Sequence, residues 1–142
     1  MSDEKTVKKK EKTISVVGKR KSAIARANAR RGTGRITING RPMEMFGTEM
    51  ERMMISEPLA LAGELAGQID MDIVVRSGGE MGQADAIRQA IAKSFVGFDK
   101  KLKGKFISYD RALLVADVRR NEPHKPSRSK QGPRRHKQRS KR

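Results

Sequence analysis

The sequence predicts an α+β fold followed by an extended basic tail, and three observations support this prediction. Residues 22–30 and 69–76 alternate between two kinds of side chain with a period of two, which is typical of strands. Residues 84–98 repeat apolar side chains at steps of three and four, which is typical of an amphipathic helix. Residues 119–142 contain no aliphatic side chain and no Phe, Tyr or Trp, so this segment cannot form a core.

The first part of the chain predicts three strands. Residues 13–17 are a β-branched run, T-I-S-V-V, which favours a strand. In residues 22–30 alanines alternate with larger side chains, so one face would pack closely and the other would present arginines. A helix remains the alternative there, because alanine favours helices. After a glycine turn at residues 32–34, residues 35–38 predict a third strand, and Asn39-Gly40 predicts a tight turn.

The centre of the chain predicts helices. A short helix over residues 42–46 can begin at Pro42, because proline is tolerated at a first helical position. Thr48 and Glu51 have the spacing of a capping box, which indicates the start of a longer helix. Pro58 is expected either to end this helix or to start another one over residues 59–66.

The second half predicts one strand and one long helix. The strand over residues 69–76 ends at Ser77-Gly78-Gly79, and Gly104 is expected to interrupt the helical pattern that continues beyond residue 98. The apolar stripe of the helix consists of Ala84, Ile87, Ile91, Phe95 and Phe98. A last apolar patch consists of Leu113, Leu114 and Val115.

The distribution of charge indicates the domain organisation. The formal net charge is +17, and residues 1–35 carry +9, residues 36–118 carry −2 and residues 119–142 carry +10. We therefore expect a disordered extension over residues 1–12, a globular domain over 13–118 and a basic tail over 119–142. Such a charge implies a polyanionic partner, with nucleic acid first and an anionic membrane surface second.

Several classes of site are not expected. There are no cysteines, which excludes disulfides and Cys-ligated zinc and fits a reducing compartment. No apolar run approaches the roughly 20 residues of a membrane span, and the N-terminal residues lack the apolar segment of a secretory signal. His124 and His136 both lie in the tail, where a general base would lack a fixed geometry. The sequence therefore predicts no enzyme, no cofactor and no metal site.

The glycine-containing loop over residues 78–83 joins a strand to a helix but matches neither G-x-x-x-x-G-K-[ST] nor G-x-G-x-x-G. One interpretation is a tight turn that needs positive φ angles. The other is that its free backbone N–H groups contact an RNA phosphate, because such groups attract anions at a helix start.

Two basic segments favour RNA. Residues 18–22 place three cations between two predicted strands, and further arginines follow through residue 35, so this region predicts a basic surface. The tail could extend ~80 Å at about 3.3–3.6 Å per residue. Because it has no aromatic residue for base stacking, we expect it to contact the phosphate backbone with little sequence readout.

Three stretches of the chain resemble one known family. They are G-K-R-K-S-A-I-A-R-A at residues 18–27, the segment from Ser77 to Phe95, and an ending with D-V-R-R-N-E-P from Asp117 and Q-R-S-K-R at the terminus. Together they resemble small-subunit ribosomal protein S nine, over nearly the whole chain from residue 13, with a preference for archaeal members. Ser77 stands where the family usually has a glycine, and Arg139 where it often has an aromatic residue.

The resemblance implies an α+β domain of the ribosomal S-five domain-two-like kind, with helices on one mixed sheet. It implies a structural, cytoplasmic protein of the ribosome whose partners are small-subunit ribosomal RNA, peptidyl-site tRNA and neighbouring proteins of the subunit head, with no membrane partner. The expected tRNA-binding residues are Ser140, Lys141 and Arg142. The expected rRNA-binding residues are Lys19, Arg20, Lys21, Arg26, Arg30, Arg31, Arg35, Gly78, Gly79, Gln83, Arg119, Arg120, Lys125, Arg128, Lys130, Arg134, Arg135, Lys137 and Arg139.

Two other function classes compete with this reading. A free nucleic-acid-condensing protein of chromatin type would bind duplex DNA without fixed stoichiometry. A phosphotransferase is the second rival, since some small-molecule kinases share the implied fold, but this is an analogy of fold alone.

Overall fold

The computed structural model describes residues 13–123 of the 142-residue chain. The strands are β1 Ile14–Arg20, β2 Ala23–Arg31, β3 Ile36–Ile38, β4 Arg41–Pro42 and β5 Ile69–Arg76. The helices are α1 Glu49–Ala62, α2 Glu80–Phe98 and α3 Leu102–Tyr109, with short 3₁₀ turns at Met43–Met45, Gly63–Gln68 and Arg111–Leu113. None of these helices, within the described residues, is long and apolar enough to cross a membrane.

The five strands form one mixed sheet in the order β1-β2-β5-β3-β4. β2 pairs antiparallel with β1 and β5, whereas β3 pairs parallel with β5 and antiparallel with β4. The helix α2 packs on β1, β2 and β5, and α1 packs on α2. The predicted α+β fold with helices on a mixed sheet is therefore confirmed.

The core lies between α2 and the alternate side chains of β2 and β5. In β2 the buried side chains are all alanines, and every larger side chain points away from the helix. Small residues are needed because α2 lies very close: a Cβ atom on Gly18 of β1 would be 2.0 Å from the carbonyl oxygen of Ala86. The period-two pattern of β2 is thus a strand, and the helical alternative is wrong.

The first hairpin is tighter than the sequence indicated. β1 continues past Val17 to Arg20, because Arg20 still pairs with Ala23 across the ladder. Only Lys21 and Ser22 form the turn, and Lys21 adopts a left-handed φ of 52°. The predicted basic loop over residues 18–22 is therefore mostly strand. The second turn follows the prediction, since Asn39 and Gly40 have φ angles of 51° and 77° between β3 and β4.

Both prolines in the centre behave differently from expectation. Pro42 ends β4 with an extended backbone, so the short helix comprises only Met43–Met45. Pro58 lies inside α1, and no separate helix covers residues 59–66: α1 runs to Ala62 and a 3₁₀ turn follows. The ring of Pro58 is buried, and we infer that this burial offsets the hydrogen bond that proline cannot donate. The capping box of Thr48 and Glu51 is confirmed.

Gly104 does not interrupt the helical pattern, because it lies within α3. The interruption comes earlier, where Asp99 takes an extended backbone at the end of α2 and its carboxylate accepts the N–H of Lys101 at 2.9 Å. The apolar stripe of α2 is confirmed, since Ala84, Ile87, Ile91 and Phe95 are fully buried.

Candidate nucleic-acid interface

The strands present a second face, opposite the helices, that carries exposed side chains. Two rows of neighbours cross β1, β2 and β5 at this face, namely Val17–Arg26–Val74 and Lys19–Ile24–Arg76. We call these six residues the outer basic face. Its aliphatic members are open to solvent, with Val17 38%, Ile24 41% and Val74 47% exposed.

Arg26 lies at the centre of the outer basic face. The register places the aliphatic side chains of Val17 and Val74 directly beside it, so no carboxylate occupies either neighbouring position. Lys19 and Arg76 stand one row away on the same face. Arg76 is missing from the predicted RNA-binding residues, although the period-two pattern of β5 places its side chain on the outer face.

The opposite end of the same sheet face is polar and charge-compensated. The hydroxyl of Thr37 donates to Asp72 at 2.6 Å, and a guanidinium nitrogen of Arg30 lies 3.9 Å from the same carboxylate. Ser15 donates to the side-chain oxygen of Asn28 at 2.6 Å. Of the three predicted RNA-binding arginines in β2, Arg26, Arg30 and Arg31, it is therefore Arg30 that lies beside a carboxylate.

Asp70 organises the loop over residues 32–35, which follows Arg31 at the end of β2. Arg31 and Arg35 are both exposed. The carboxylate of Asp70 accepts the backbone N–H groups of Thr33 at 2.8 Å and of Arg35 at 2.9 Å. These two bonds hold the pKa of Asp70 below its ordinary value of 3.8, and the bond from Arg35 has the larger effect. The carboxylate thus fixes the backbone of this corner and leaves the two arginine side chains facing solvent.

Arg20 is placed differently from the other predicted cations. Its Nε lies 3.3 Å from a carboxylate oxygen of Asp85, and its Nη1 is bonded to Asp117. Its side chain is 26% exposed. The cation next to it in sequence, Lys21, is exposed at the hairpin turn.

Two side chains of α2 cover the free edge of β1. Lys19 N–H donates to Oε1 of Gln89 at 2.9 Å, and Nζ of Lys93 donates to the carbonyl of Val17 at 2.8 Å. Burial, together with the charge of Lys19, lowers the pKa of Lys93. These residues satisfy edge groups that would otherwise be open to another strand. Lys93 therefore holds the edge of the sheet. The resemblance of its segment to the ribosomal family did not indicate this contact.

The glycine-containing loop has a structural explanation. Ser77 and Gly78 take left-handed φ angles of 64° and 76°, and a Cβ atom on Gly78 would lie 2.8 Å from Ala23. The amide of Gln83 donates to the carbonyl of Ser77 at 3.2 Å. Gly79 precedes α2 without a side-chain cap. The tight-turn interpretation is supported, and contact between this loop and an RNA phosphate stays a prediction.

Arg119 and Arg120 are exposed at the start of the tail. The other predicted tail residues lie outside the described residues, namely Lys125, Arg128, Lys130, Arg134, Arg135, Lys137, Arg139, Ser140, Lys141 and Arg142. Across residues 13–123 no group of three His, Asp or Glu side chains is arranged to hold a metal ion.

Comparison with known proteins identifies the family. The model of the family described as Ribosomal protein S9/S16 matches residues 18–142, which is most of the chain. The chain belongs to this family. It is therefore a structural component of the small subunit of the cytoplasmic ribosome and not an enzyme, and RNA binding is typical of such proteins.

Relatives within the S9/S16 family are similar over almost their whole length. The small ribosomal subunit protein uS9 of Methanococcus vannielii is 50% identical over 131 residues, which cover 91% of this chain and 98% of the relative. The protein of the same name from Methanococcus maripaludis is 51% identical over the same shares of both chains. Both relatives are archaeal, in agreement with the preference that the sequence indicated.

Proposed function

We propose that the domain docks on small-subunit ribosomal RNA through the outer basic face and the neighbouring cations of residues 19–35. We further propose that the tail over residues 119–142 follows RNA phosphates, and that its tip, Ser140, Lys141 and Arg142, contacts the backbone of the peptidyl-site tRNA. The tail would become ordered on binding, at an entropic cost that many charge contacts offset.

The observation that carries the docking proposal is the position of Arg26 on a sheet face that α1 and α2 leave uncovered. The buried alanines of β2 force Arg26 outward, and its neighbours across the sheet are valines. A guanidinium can bind a phosphate with two parallel hydrogen bonds. The exposed aliphatic side chains around it can pack on ribose, so the face suits RNA better than a purely charged surface does.

The tail proposal rests on its composition. It has eleven basic residues against one acidic residue and no aromatic residue, which suits phosphate contact and not base stacking. The tRNA assignment rests on the match of the terminal Ser140, Lys141 and Arg142 to the ending of the family. Binding of duplex DNA without fixed stoichiometry, in place of one copy per small subunit, would contradict both assignments.

Arg26→Ala tests the docking surface. We expect it to weaken binding of the full-length protein to small-subunit ribosomal RNA by about three- to tenfold, because one charged hydrogen-bonding group is lost. The slope of log K against log salt should fall by about one. Filter binding over a salt series measures both quantities.

The matched control is Arg111→Ala, which removes an exposed arginine from the 3₁₀ turn packed on α2 and α3. We expect this control to leave affinity and salt slope near those of the parent chain. Equal losses for the two variants would show that net charge, and not the outer basic face, governs binding.

A further inference from the structure

The start of the basic tail is attached to the first hairpin by one arginine. Arg20, the last residue of β1, bonds Asp117 and also pairs with Asp85 of α2 at 3.3 Å. Asp117 is only 19% exposed at its side chain. One cation thus joins three parts of the molecule, although Arg20 and Asp117 are 97 residues apart in sequence.

Asp117 also fixes the first residue of the tail. Its carboxylate accepts the backbone N–H of Arg119 at 2.9 Å, the Nε–H at 3.0 Å and an Nη2–H at 2.7 Å. These bonds hold the pKa of Asp117 well below its usual range. The bonds from Arg119 have the largest effect, and the bond from Arg20 adds to it. A carboxylate held this way stays charged at neutral pH, and the backbone from 117 to 119 has a set direction.

A second attachment lies a few residues earlier. The side-chain amide of Gln89 donates to the carbonyl of Ala112 at 3.2 Å, while its oxygen accepts the N–H of Lys19. Leu113 beside it is buried. The segment from 112 to 117 is therefore held at both ends, through Gln89 at Ala112 and by Arg20 of the first hairpin at Asp117.

We propose that Arg20, Asp85 and Asp117 form a tail clasp, which holds Arg119 and whose role is to position the basic tail and not to contact RNA. Arg119 lines the same surface pocket as Lys19, Arg20 and Asp117. Arg119 and the next tail cation, Arg120, therefore leave the domain near the first hairpin, where the cations of the tail and of the hairpin can both bind RNA phosphates. This inference rests on the proposed RNA-binding function and assigns Arg20 a positioning role within it.

The physical benefit is preorganisation. A tail that leaves the domain from a fixed point loses less conformational freedom when it binds. The two carboxylates of the clasp face Arg20 and Arg119, so they are neutralised within the protein and do not repel the RNA backbone. The cations at the hairpin turn and at Arg120 stay exposed.

The first experiment measures the attachment without RNA. The chain has no cysteine, so Ser22→Cys and Asn121→Cys place one spin label on the hairpin turn and one on the tail. Both positions are exposed. Pulsed electron paramagnetic resonance on the full chain should give a narrow distance distribution. A broad distribution in this otherwise unaltered protein would overturn the clasp.

The variant Asp117→Asn should broaden that distribution. It should also weaken binding to small-subunit ribosomal RNA by about three- to tenfold, because the tail must now be ordered on binding. The direction of this change is diagnostic. Removing a carboxylate makes the chain more positive, so charge alone predicts equal or tighter binding.

The matched control is Glu64→Gln, which removes one exposed carboxylate from the 3₁₀ turn after α1. It should keep the narrow distribution and should not weaken RNA binding. If Asp117→Asn does not fold, Arg20→Gln repeats both measurements while leaving Asp117 bonded to Arg119.

The outcomes separate the two proposals. A narrow distribution and unchanged RNA affinity in the clasp variants would show that these residues only add stability to the domain, and would overturn the positioning role. A parent protein with a narrow distribution but no measurable RNA binding would instead contradict the proposed function.

Discussion

At the scale of single residues, charged side chains of this protein divide into those that hold its backbone and those that face solvent. Asp70 accepts two loop N–H groups, Lys93 bonds an edge carbonyl of β1, and Arg20 joins two carboxylates. Arg26, by contrast, stands exposed between valines. The net charge of the chain therefore overstates how many cations its domain can offer to RNA.

Asp70→Asn should destabilise the protein at neutral pH. The folded pKa of Asp70 lies below the ordinary 3.8, so its contribution to stability is fully present above that value and is lost as the pH falls through the folded pKa. The melting temperature of the variant should thus be lower than that of the parent at neutral pH, and the difference should shrink in acid. Thermal unfolding followed by circular dichroism across a pH series measures this.

Asp72→Asn is the control for Asp70→Asn, because it removes the next outward carboxylate of β5. Asp72 accepts a hydrogen bond from the hydroxyl of Thr37. The loop N–H groups of Thr33 and Arg35 bond Asp70 instead. We expect a smaller loss of melting temperature at neutral pH. An equal loss of melting temperature in the two variants would show that the loop hydrogen bonds of Asp70 do not add to the stability of the domain.

At the scale of elements, the contact of α2 with the edge strand β1 organises the domain. Gly18 and Ala86 allow the helix to lie directly on the strand, and Gln89 and Lys93 then reach the edge groups of β1. Arg88 of α2 adds an ion pair with Asp110 at 3.0 Å. One helix thus closes the sheet edge and holds the segment that leads to the tail.

Gly18→Ala should destabilise the domain by about 1–3 kcal/mol or more, because the added methyl group overlaps helix backbone, which cannot move aside as a side chain could. The free energy of unfolding from urea titration measures the effect. Gly104→Ala is the matched control: nothing lies within 4 Å of its added Cβ atom in α3.

We expect the Gly104→Ala control to stabilise the protein by about 0.5–1 kcal/mol, since alanine is the better helix former. Similar effects for both glycine variants would contradict the close packing of α2 on β1.

At the scale of the whole molecule, the positive charge lies in the first strands of the domain and in the tail. Residues 36–118 carry −2, whereas residues 1–35, which include β1 and β2, carry +9 and residues 119–142 carry +10. Within the domain the helices cover one sheet face, and the other presents the outer basic face. The arrangement agrees with the proposal that both the domain and the tail bind RNA.

Deleting Lys141 and Arg142 should weaken binding of tRNA in the peptidyl site and leave assembly of the small subunit intact. The deletion removes the two positive charges of the proposed tRNA contact and keeps the rest of the tail. Binding of labelled tRNA to purified subunits measures the first effect, and sedimentation measures the second. Replacing Lys9 and Lys10 by serine, which removes the same charge elsewhere, is the control. Failed assembly with normal tRNA affinity in the residual subunits would contradict this assignment.

Local patterns predicted much of the fold. The alternation in β2 and β5, the apolar stripe of α2, the capping box and the turn at Asn39 all depend on neighbours a few residues apart, and these predictions are confirmed. The continuation of α1 through Pro58 was not predictable in this way, because the ring is buried by tertiary contacts. The parallel pairing of β3 with β5 likewise has no local signal.

The sequence by itself determined the charge partition, the family and the absence of enzyme signatures, since composition and motifs are properties of the linear chain. Only the tertiary structure decided which cations hold the fold and which face solvent. Arg20 and Arg26 are the same residue type and lie in neighbouring strands. Arg20 bonds two carboxylates, whereas Arg26 lies between two valines. That difference arises from contacts across as many as 97 residues, which no local periodicity encodes.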